Sequence, residues 1–154
     1  MNRQAFIRST VALALVGLSG MASATDKTEP AEAEALVKKA VAYIKANGAE
    51  KAYEEFTNGK AFKDREMYIF VYDFNGKCLA HGANPKLVGK DLIGLKDPDG
   101  KPLVQMLVDT AKNKGHGWTE PVKFRNPVTD KIQTRVNYIE RVGDVAVGSG
   151  VFKD

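Results

Sequence analysis

The residues with the clearest chemical potential lie on a predicted β-hairpin that spans residues 67–81. Asn75-Gly76 joins its strands and favours a type I′ turn, because both central residues of that turn need positive φ. With this turn Phe70 faces His81, and side-chain alternation gives one surface of the hairpin five members: Tyr68, Phe70, Tyr72, Leu79 and His81. Aromatic walls with a single imidazole are typical of a small-molecule pocket, which is mostly apolar with a few convergent polar groups.

A predicted strand over residues 131–141 supplies two further polar candidates, Arg135 and Tyr138. The planar guanidinium of Arg135 matches a carboxylate through two parallel hydrogen bonds, so it favours an acidic ligand. The two residues differ in strand parity, so both reach one pocket only where a bulge or a strand end intervenes. In the alternative interpretation His81 is a hydrogen-bonded core histidine and Arg135 is a solvated strand residue. The charge of His81 is open, because an unperturbed imidazole titrates near about pH 6.5.

The sequence offers no combination of residues that is typical of an enzyme. Cys78 is predicted to face Asp73 rather than His81, which disfavours a Cys–His dyad and leaves the thiol as a small buried hydrophobe. Ser149 lies in Gly-Ser-Gly without a nucleophile elbow, and no carboxylate cluster joins His81 to His116 as a metal site. No glycine-rich loop fits a phosphate. We therefore predict neither catalysis nor a cofactor nor a bound metal, and a periplasmic enzyme is the last-ranked alternative.

Residues 1–24 have the pattern of a secretory signal peptide. Two arginines form a basic n-region, residues 11–20 an apolar h-region, and Ala22-Ser23-Ala24 a cleavage site of the A-x-A kind. The apolar run is too short for a stable bilayer-spanning helix, so a retained membrane anchor is the less favoured alternative. We expect residues 25–154 to form one domain that is exported to the periplasm.

The charge pattern and the cysteine count limit the partners further. The formal net charge is +4, and basic residues are scattered among acidic ones without a basic run. This pattern predicts no nucleic-acid partner and no membrane-surface patch. The chain has a single cysteine, so it forms no internal disulfide even in an oxidising compartment.

Helices and strands in a mixed order must position these residues. An amphipathic helix is predicted from Pro30 to just before Gly48, where it covers one face of a sheet. A shorter helical pattern ends at Asn58-Gly59. After the hairpin, a turn-rich connection leads to a second amphipathic helix over residues 102–114. Three strands complete an antiparallel sheet and an α+β fold, namely residues 117–124, 131–141 and 145–152.

Two glycines in the last predicted strand mark a close approach to its backbone. Glycine weakens a strand and commonly appears where another group must come near. Gly148 and Gly150 fall on one face of this strand, so we expect a helix or a ligand to pack against them.

An ordered series of short motifs resembles a known family, the single Cache domains of the second type. These are extracytoplasmic sensor domains of bacterial chemoreceptors and histidine kinases. The motifs are Tyr68-Ile-Phe-Val-Tyr-Asp73, Asn75-Gly76, Leu79-Ala-His81, Asn84-Pro-Lys-Leu-Val-Gly-Lys-Asp-Leu92, Asp99-Gly-Lys101, Gly117-Trp118, Asn126-Pro127, the stretch from Arg135 to Tyr138, and Gly148-Ser-Gly-Val-Phe152.

The resemblance implies a PAS-like five-stranded antiparallel sheet with a long N-terminal helix. It places a ligand pocket between the sheet and the loop-plus-helix of residues 82–115, and short-chain carboxylates are frequent ligands of such domains. On this basis we expect Arg135, Tyr138 and His81 to hold a carboxylate while Trp118, Phe70 and Tyr68 pack on its carbon chain. The domain would signal or present the ligand to a membrane receptor, kinase or transporter. Pairing through the N-terminal helix would make a homodimer.

The alternative function is a protein–protein interaction or dimerisation module. In that case the long N-terminal helix or an edge strand docks on a partner, and the pocket is vestigial.

Overall fold

The structure, a computed structural model, describes residues 27–153. Its helices are α1 (Pro30–Asn47), α2 (Ala49–Asn58) and α3 (Leu103–Lys114), with a short 3₁₀ turn at Pro85–Leu87. Its strands are β1 (Lys63–Asp64), β2 (Met67–Tyr68), β3 (Phe70–Asp73), β4 (Cys78–His81), β5 (His116–Trp118), β6 (Val122–Arg125), β7 (Ile132–Val142) and β8 (Val145–Lys153). The predicted signal peptide lies outside the described residues. Within residues 27–153 no helix combines the length and the apolar character needed to cross a membrane.

The main sheet is antiparallel and runs in the order β4-β3-β8-β7-β5, with β6 also paired to β7. β5 pairs with residues 138–140 of β7 and β6 with residues 132–135, so the two short strands share one position at the edge of the sheet. The predicted α+β class with an antiparallel sheet is confirmed. The strand predicted over residues 117–124 is instead broken at residues 119–121, where Pro121 cannot donate a hydrogen bond to a ladder.

The tip of the hairpin differs from the predicted type I′ turn. The Gly76 N–H donates to the Asp73 carbonyl and the Asp73 N–H donates to the Lys77 carbonyl, both over 3.0 Å. Gly76 has a φ of 87°, and Asn75 is not among the residues with positive φ. This is a three-residue loop in which a type I turn is followed by a left-handed glycine. The prediction of two central residues with positive φ was therefore wrong.

A bulge in β4 changes which residues face each other across the hairpin. Phe70 pairs with His81 as predicted, but Tyr72 pairs with Cys78 instead of Leu79. Leu79 is the extra residue of the bulge, and it packs against the core on the α1 side rather than joining the aromatic face. The predictions that Leu79 belongs to that face and that Cys78 faces Asp73 were wrong, because an inserted residue reverses the alternation.

The predicted helix boundaries are confirmed for α1 and α3, and each helix covers one face of the sheet. Pro30 opens α1 and Gly48, with a φ of 87°, follows its last residue. The buried stripe of α1 packs on Ile69, Val71 and Val147 through Val37, Ala40, Val41 and Ile44. The stripe of α3 packs on the opposite face, against Tyr68, Phe70, Tyr72, Cys78, Ile139 and Ala146.

Candidate ligand-binding site

A small cavity lies between the α3 face of the sheet and the elements that cover it. Its volume is about 40 Å³, roughly three times what a single water requires, so it suits a molecule of a few non-hydrogen atoms. Aliphatic side chains from the connection, α3 and β6 form most of the wall: Leu87, Leu95, Leu103, Val104, Leu107 and Val122. The remaining lining is aromatic or polar: Tyr68, Phe70, Tyr72, Phe124, His81, Arg135 and Asn137.

Four of the six residues that were predicted to contact the ligand meet at this cavity. Tyr68 and Phe70 lie next to each other on the aromatic face, with ring centroids 6.3 Å apart. The His81 ring lies 4.9 Å from the Tyr68 ring, and Arg135 reaches the same place from β7. The structure thus brings Tyr68, Phe70, His81 and Arg135 together, and ligand binding by them remains a prediction.

Tyr138 and Trp118 lie on the opposite face of the sheet, and this corrects the expectation that they contact the ligand. β7 and β8 stay in continuous register from Thr134 to Val142, so no bulge brings Arg135 and Tyr138 to one side. Tyr138 packs in the core beneath α1, its ring 5.4 Å from that of Trp118. Its hydroxyl donates to Glu140 Oε1 over 3.0 Å.

Asn137 and Phe124 also line the cavity, although neither was predicted from the sequence. Asn137 is two residues beyond Arg135 on a regular strand, so the alternation that excludes Tyr138 points to Asn137 instead. Phe124 lies on β6 opposite Gln133 of β7. Its position followed from no sequence signal, because the break before β6 resets the alternation of that strand.

Arg135 carries a buried positive charge without an ionic partner. Arg135 is only 3% exposed. It takes part in none of the ion pairs formed within residues 27–153. Nη1 donates to the Tyr68 hydroxyl over 2.6 Å, whereas Nε and Nη2 have no hydrogen-bond partner in the described structure. These two nitrogens form one edge of the guanidinium, which is the edge that binds a carboxylate side-on.

Aromatic rings, rather than an acidic side chain of the protein, surround the Arg135 guanidinium. Its carbon lies between 4.7 and 5.5 Å from four ring centroids, those of Tyr68, Phe70, Phe124 and Phe152. Burying an unpaired ion costs several kcal/mol, and cation–π contacts of about 0.5–2 kcal/mol each offset part of that cost. The four rings therefore stabilise the guanidinium without neutralising it, and the cavity keeps one net positive charge.

His81 is neutral in this environment. Burial, with a further contribution from the nearby Arg135 charge, lowers the pKa of His81 to about 3. Its Nδ1 accepts a hydrogen bond from the Asn84 N–H over 2.9 Å, so the single ring proton lies on Nε2. This resolves the charge that the sequence left open, and it makes His81 a neutral hydrogen-bond donor at the cavity.

The two strand glycines make room for these side chains. A β-carbon on Gly148 would lie 2.4 Å from Phe70 Cε2, and one on Gly150 would lie 2.6 Å from Arg135 Nε. The expected close approach is confirmed, but the expectation that a helix or a ligand makes it was wrong, because the nearest atoms belong to residues of the neighbouring strands β3 and β7. Any larger residue at either position would displace them.

The Asp97 carboxylate links its own turn to β6, and both of these segments contribute to the cavity wall. Its carboxylate accepts hydrogen bonds from the backbone N–H groups of Asp99 and Lys101 within its own turn, over 2.9 and 2.8 Å. It also accepts the N–H of Lys123 on β6, over 2.9 Å. These bonds lower the pKa of Asp97, that of Lys123 most. The turn that contains Asp97 lies between Leu95 and Leu103, which are hydrogen-bonded to each other and line the cavity.

Two further features of residues 27–153 bear on possible chemistry, namely the Cys78 thiol and the metal-ligating side chains. Cys78 is fully buried, and burial raises the pKa of its thiol to about 11. Within the described residues, no group of three or more histidine, cysteine, aspartate or glutamate side chains is placed to hold a metal ion.

Comparison with known proteins matches the sequence and the fold to one family. The sequence model described as single Cache domain 2 matches residues 1–153. This chain belongs to that family. Over 95 residues the Cache domain is 32% identical to methyl-accepting chemotaxis protein McpP of Pseudomonas putida, covering 59% of this chain and 17% of that protein. Over 92 residues it is 29% identical to sensor histidine kinase MctS of Rhizobium johnstonii, covering 58% of this chain and 20% of that protein.

A solved structure supports the fold. Its title is "Structural basis for carboxylic acid recognition by a Cache chemosensory domain", and it superposes with a TM-score of 0.62 at 23% identity. The alignment covers 80% of this chain and 88% of that one. At this identity the likeness shows the Cache fold alone. The matched segments are about a fifth or less of the length of both relatives.

Proposed function

We propose that this Cache domain is a non-enzymatic, periplasmic sensor-type domain that binds a short-chain monocarboxylate next to Arg135. The observation that carries the proposal is the Nε–Nη2 edge of the buried Arg135 guanidinium, which has neither a hydrogen-bond partner nor a counterion among residues 27–153. A carboxylate supplies two acceptors in the geometry of that edge, together with the missing negative charge. Similarity to a domain whose title names carboxylic acid recognition supports the same ligand class.

The size and charge of the cavity limit the acid. A volume of about 40 Å³ suits two or three carbons rather than a long chain. Because His81 is neutral, one positive charge is available, and a second carboxylate would be buried without a partner. The aliphatic and aromatic walls suit a short carbon chain. These features favour acids of the size of acetate or propionate over dicarboxylates and amines.

The relatives suggest what the bound domain would act upon. McpP is named as a chemotaxis protein and MctS as a sensor kinase, so the partner would be a membrane receptor or kinase that responds to the bound state. Such a response requires that the ligand bind the two conformations with different affinity. Pairing through α1 would give a homodimer, whose presence analytical ultracentrifugation would test.

The function is tested by thermal unfolding of the protein with matched ligands. Acetate, propionate, butyrate and hexanoate vary the length, and propionamide keeps the shape of propionate while removing its charge. At about a hundred times its dissociation constant, a ligand adds about 2.7 kcal/mol to the free energy of unfolding. We expect stabilisation by the two shortest acids and none by propionamide. Equal effects of propionate and propionamide would contradict the proposal, and silence for all acids would favour the interaction module.

A further inference from the structure

The turn between β6 and β7 exposes two apolar side chains to solvent. Val128 is 66% exposed and Ile132 is 50% exposed, which makes them the most exposed large hydrophobic residues of the described chain. The other members of the turn, at positions 126–131, are polar residues and one proline. A single exposed apolar side chain is ordinary, whereas apolar side chains grouped within a polar rim mark a surface that contacts another molecule or a membrane.

Hydrogen bonds fix the conformation of this turn. Asn126 is only 6% exposed, and its side-chain oxygen accepts the N–H groups of Val128 and Thr129 over 2.9 and 3.3 Å. Its side-chain nitrogen donates to Gln133 Oε1 over 2.8 Å, and its backbone N–H donates to the Lys131 carbonyl over 2.8 Å. The apolar side chains are thus presented from an ordered turn, so docking them requires little further ordering of the backbone.

The turn lies at the same end of the domain as both ends of the described chain. Residues 27–30 and 151–153 line one groove together. Lys153 pairs with Thr134 of β7, two positions beyond Ile132. We call this part of the molecule the terminal end, and it consists of residues 27–30, 125–132 and 151–153.

Basic residues outnumber acidic ones at the terminal end. Its acidic residues are Glu29 and Asp130, and its basic residues are Lys27, Arg125, Lys131 and Lys153. Arg125 pairs with Asp130 over 3.0 Å, whereas Lys131 and Lys153 belong to none of the ion pairs formed within residues 27–153. The sequence has no basic run, because the fold brings these charges together from three separate segments.

We propose that the terminal end docks on an anionic lipid surface, with Val128 and Ile132 entering the headgroup region. Apolar side chains that enter this region leave water, and lysines next to them are attracted by negatively charged lipids. Two side chains on one turn offer little area for a stable protein–protein interface, which buries more than about 1,000 Å². The combination of a small apolar tip with flanking lysines therefore suits a lipid surface better than a protein partner.

The position of the terminal end in the chain supports the same orientation. The apolar run at residues 11–20 is separated from Lys27 by residues 21–26, a stretch that spans at most about 20 Å. Whenever the apolar run is inserted in a membrane, the terminal end is the part of the domain that faces it. The proposal goes beyond acid binding and does not depend on it, since no residue of the terminal end that carries the argument lines the cavity.

Cosedimentation with lipid vesicles tests the proposal on the protein purified from the periplasm. One set of vesicles contains phosphatidylglycerol and phosphatidylcholine in equal parts, and the other contains phosphatidylcholine alone. We expect binding to the first set, weakened by added salt because salt screens exposed charges. Replacing both Val128 and Ile132 with serine should lower the partition coefficient about tenfold or more. Replacing Lys131 and Lys153 with glutamine should lower it about fivefold for each charge removed.

Two exposed residues elsewhere on the domain serve as matched controls. Val88→Ser removes an apolar side chain that is 41% exposed. Lys45→Gln removes a charge in the last turn of α1, at the opposite end of that helix from Pro30. Both variants should bind the vesicles as the unchanged protein does.

A fluorescent label reports the position of the turn independently. Cys78 is fully buried, and burial raises the pKa of its thiol to about 11, so a cysteine introduced by Val128→Cys is the reactive one. A polarity-sensitive dye on this cysteine should shift its emission to the blue when phosphatidylglycerol vesicles are added. The same dye on Val88→Cys should not.

Four outcomes would overturn the inference: no binding to either set of vesicles, full binding by the double serine variant, full binding by the double glutamine variant, or an unshifted dye at position 128. If the double serine variant does not fold, Val128→Ser alone carries the comparison. Arg135→Met should bind vesicles normally, and the double serine variant should still bind propionate. A failure of lipid docking is therefore distinguishable from a failure of carboxylate binding.

Discussion

Replacing Arg135 with methionine separates the contribution of its charge to binding from its contribution to stability. Methionine keeps an unbranched apolar stem that adapts to irregular gaps, and it removes the guanidinium. Arg135 is 3% exposed and has no ionic partner within residues 27–153. The substitution therefore breaks no salt bridge in the described structure.

The expected change in the free energy of unfolding depends on the interactions that the buried guanidinium makes and on its desolvation cost. Removing one member of a buried ion pair costs about 3–5 kcal/mol, whereas exchanging buried charges for apolar groups is often neutral or stabilising. Arg135→Met loses one hydrogen bond to Tyr68, worth about 0.5–1.5 kcal/mol, and the attraction of four rings. It also removes the desolvation cost of the ion. We expect the free energy of unfolding without ligand to change by less than about 2 kcal/mol.

Urea unfolding with and without propionate measures both effects. The unchanged protein should gain about 2.7 kcal/mol at a hundred times the dissociation constant, and Arg135→Met should gain nothing. Arg125→Met is the matched control, because the Arg125 side chain is 59% exposed and pairs with Asp130 at the surface. A loss of about 3–5 kcal/mol in Arg135→Met without ligand would show that the charge is already paired within the protein, and it would contradict the prediction.

Three further predictions concern the support of the site. Gly150→Ala would place a β-carbon 2.6 Å from the buried guanidinium and should abolish acid binding in calorimetry, whereas Gly94→Ala, which meets no atom within 4 Å, should not. Because the pKa of His81 is about 3 in the fold and near 6.5 when unfolded, the unfolded chain binds the extra proton between these values. The free energy of unfolding should therefore fall by about 1.4 kcal/mol per pH unit as pH drops from 6 to 4, and His81→Gln should flatten this slope; an equal slope in the variant would contradict the assignment. Asp97→Asn keeps an oxygen for its own turn but presents an amide to the Lys123 N–H, so hydrogen exchange at Lys123 should speed up at pH 7, where the unchanged carboxylate is ionised. Unchanged exchange at Lys123 would show that Asp97 does not accept its N–H. The pKa of Asp97 is lowered in the fold, so the contribution of this carboxylate to stability is present above its ordinary pKa of about 4 and is lost only as pH falls through the lower value.

Local sequence signals predicted the elements well where the pattern was long. The stripes of α1 and α3 and the glycine after α1 placed both helices, because helical spacing over several turns leaves few alternatives. The pairing of Phe70 with His81 was also predicted, although for a turn of the wrong type. The glycine-based loop and the bulge at Leu79 compensate each other near the tip, so the pairing beyond the bulge kept the expected register.

The composition of the cavity was only partly predictable. Tyr68, Phe70 and His81 followed from one hairpin, whereas Arg135 came from a distant strand and was chosen for its chemistry. Tyr138 was chosen for its hydroxyl against the parity of its strand, and the regular pairing of β7 with β8 placed Asn137 at the cavity instead. The prediction for Trp118 was wrong for a different reason. This residue lies on a strand of three residues, which is too short for the sequence pattern to indicate which face of the sheet its side chain occupies.

The decisive experiment for carboxylate binding at Arg135 is a crystal structure of the protein with lactate or propionate bound. We expect the two carboxylate oxygens to lie about 2.7–2.9 Å from Arg135 Nε and Nη2, inside the cavity beside His81. An acid bound elsewhere on the protein, or an Arg135 edge paired with a carboxylate of the chain itself, would contradict it.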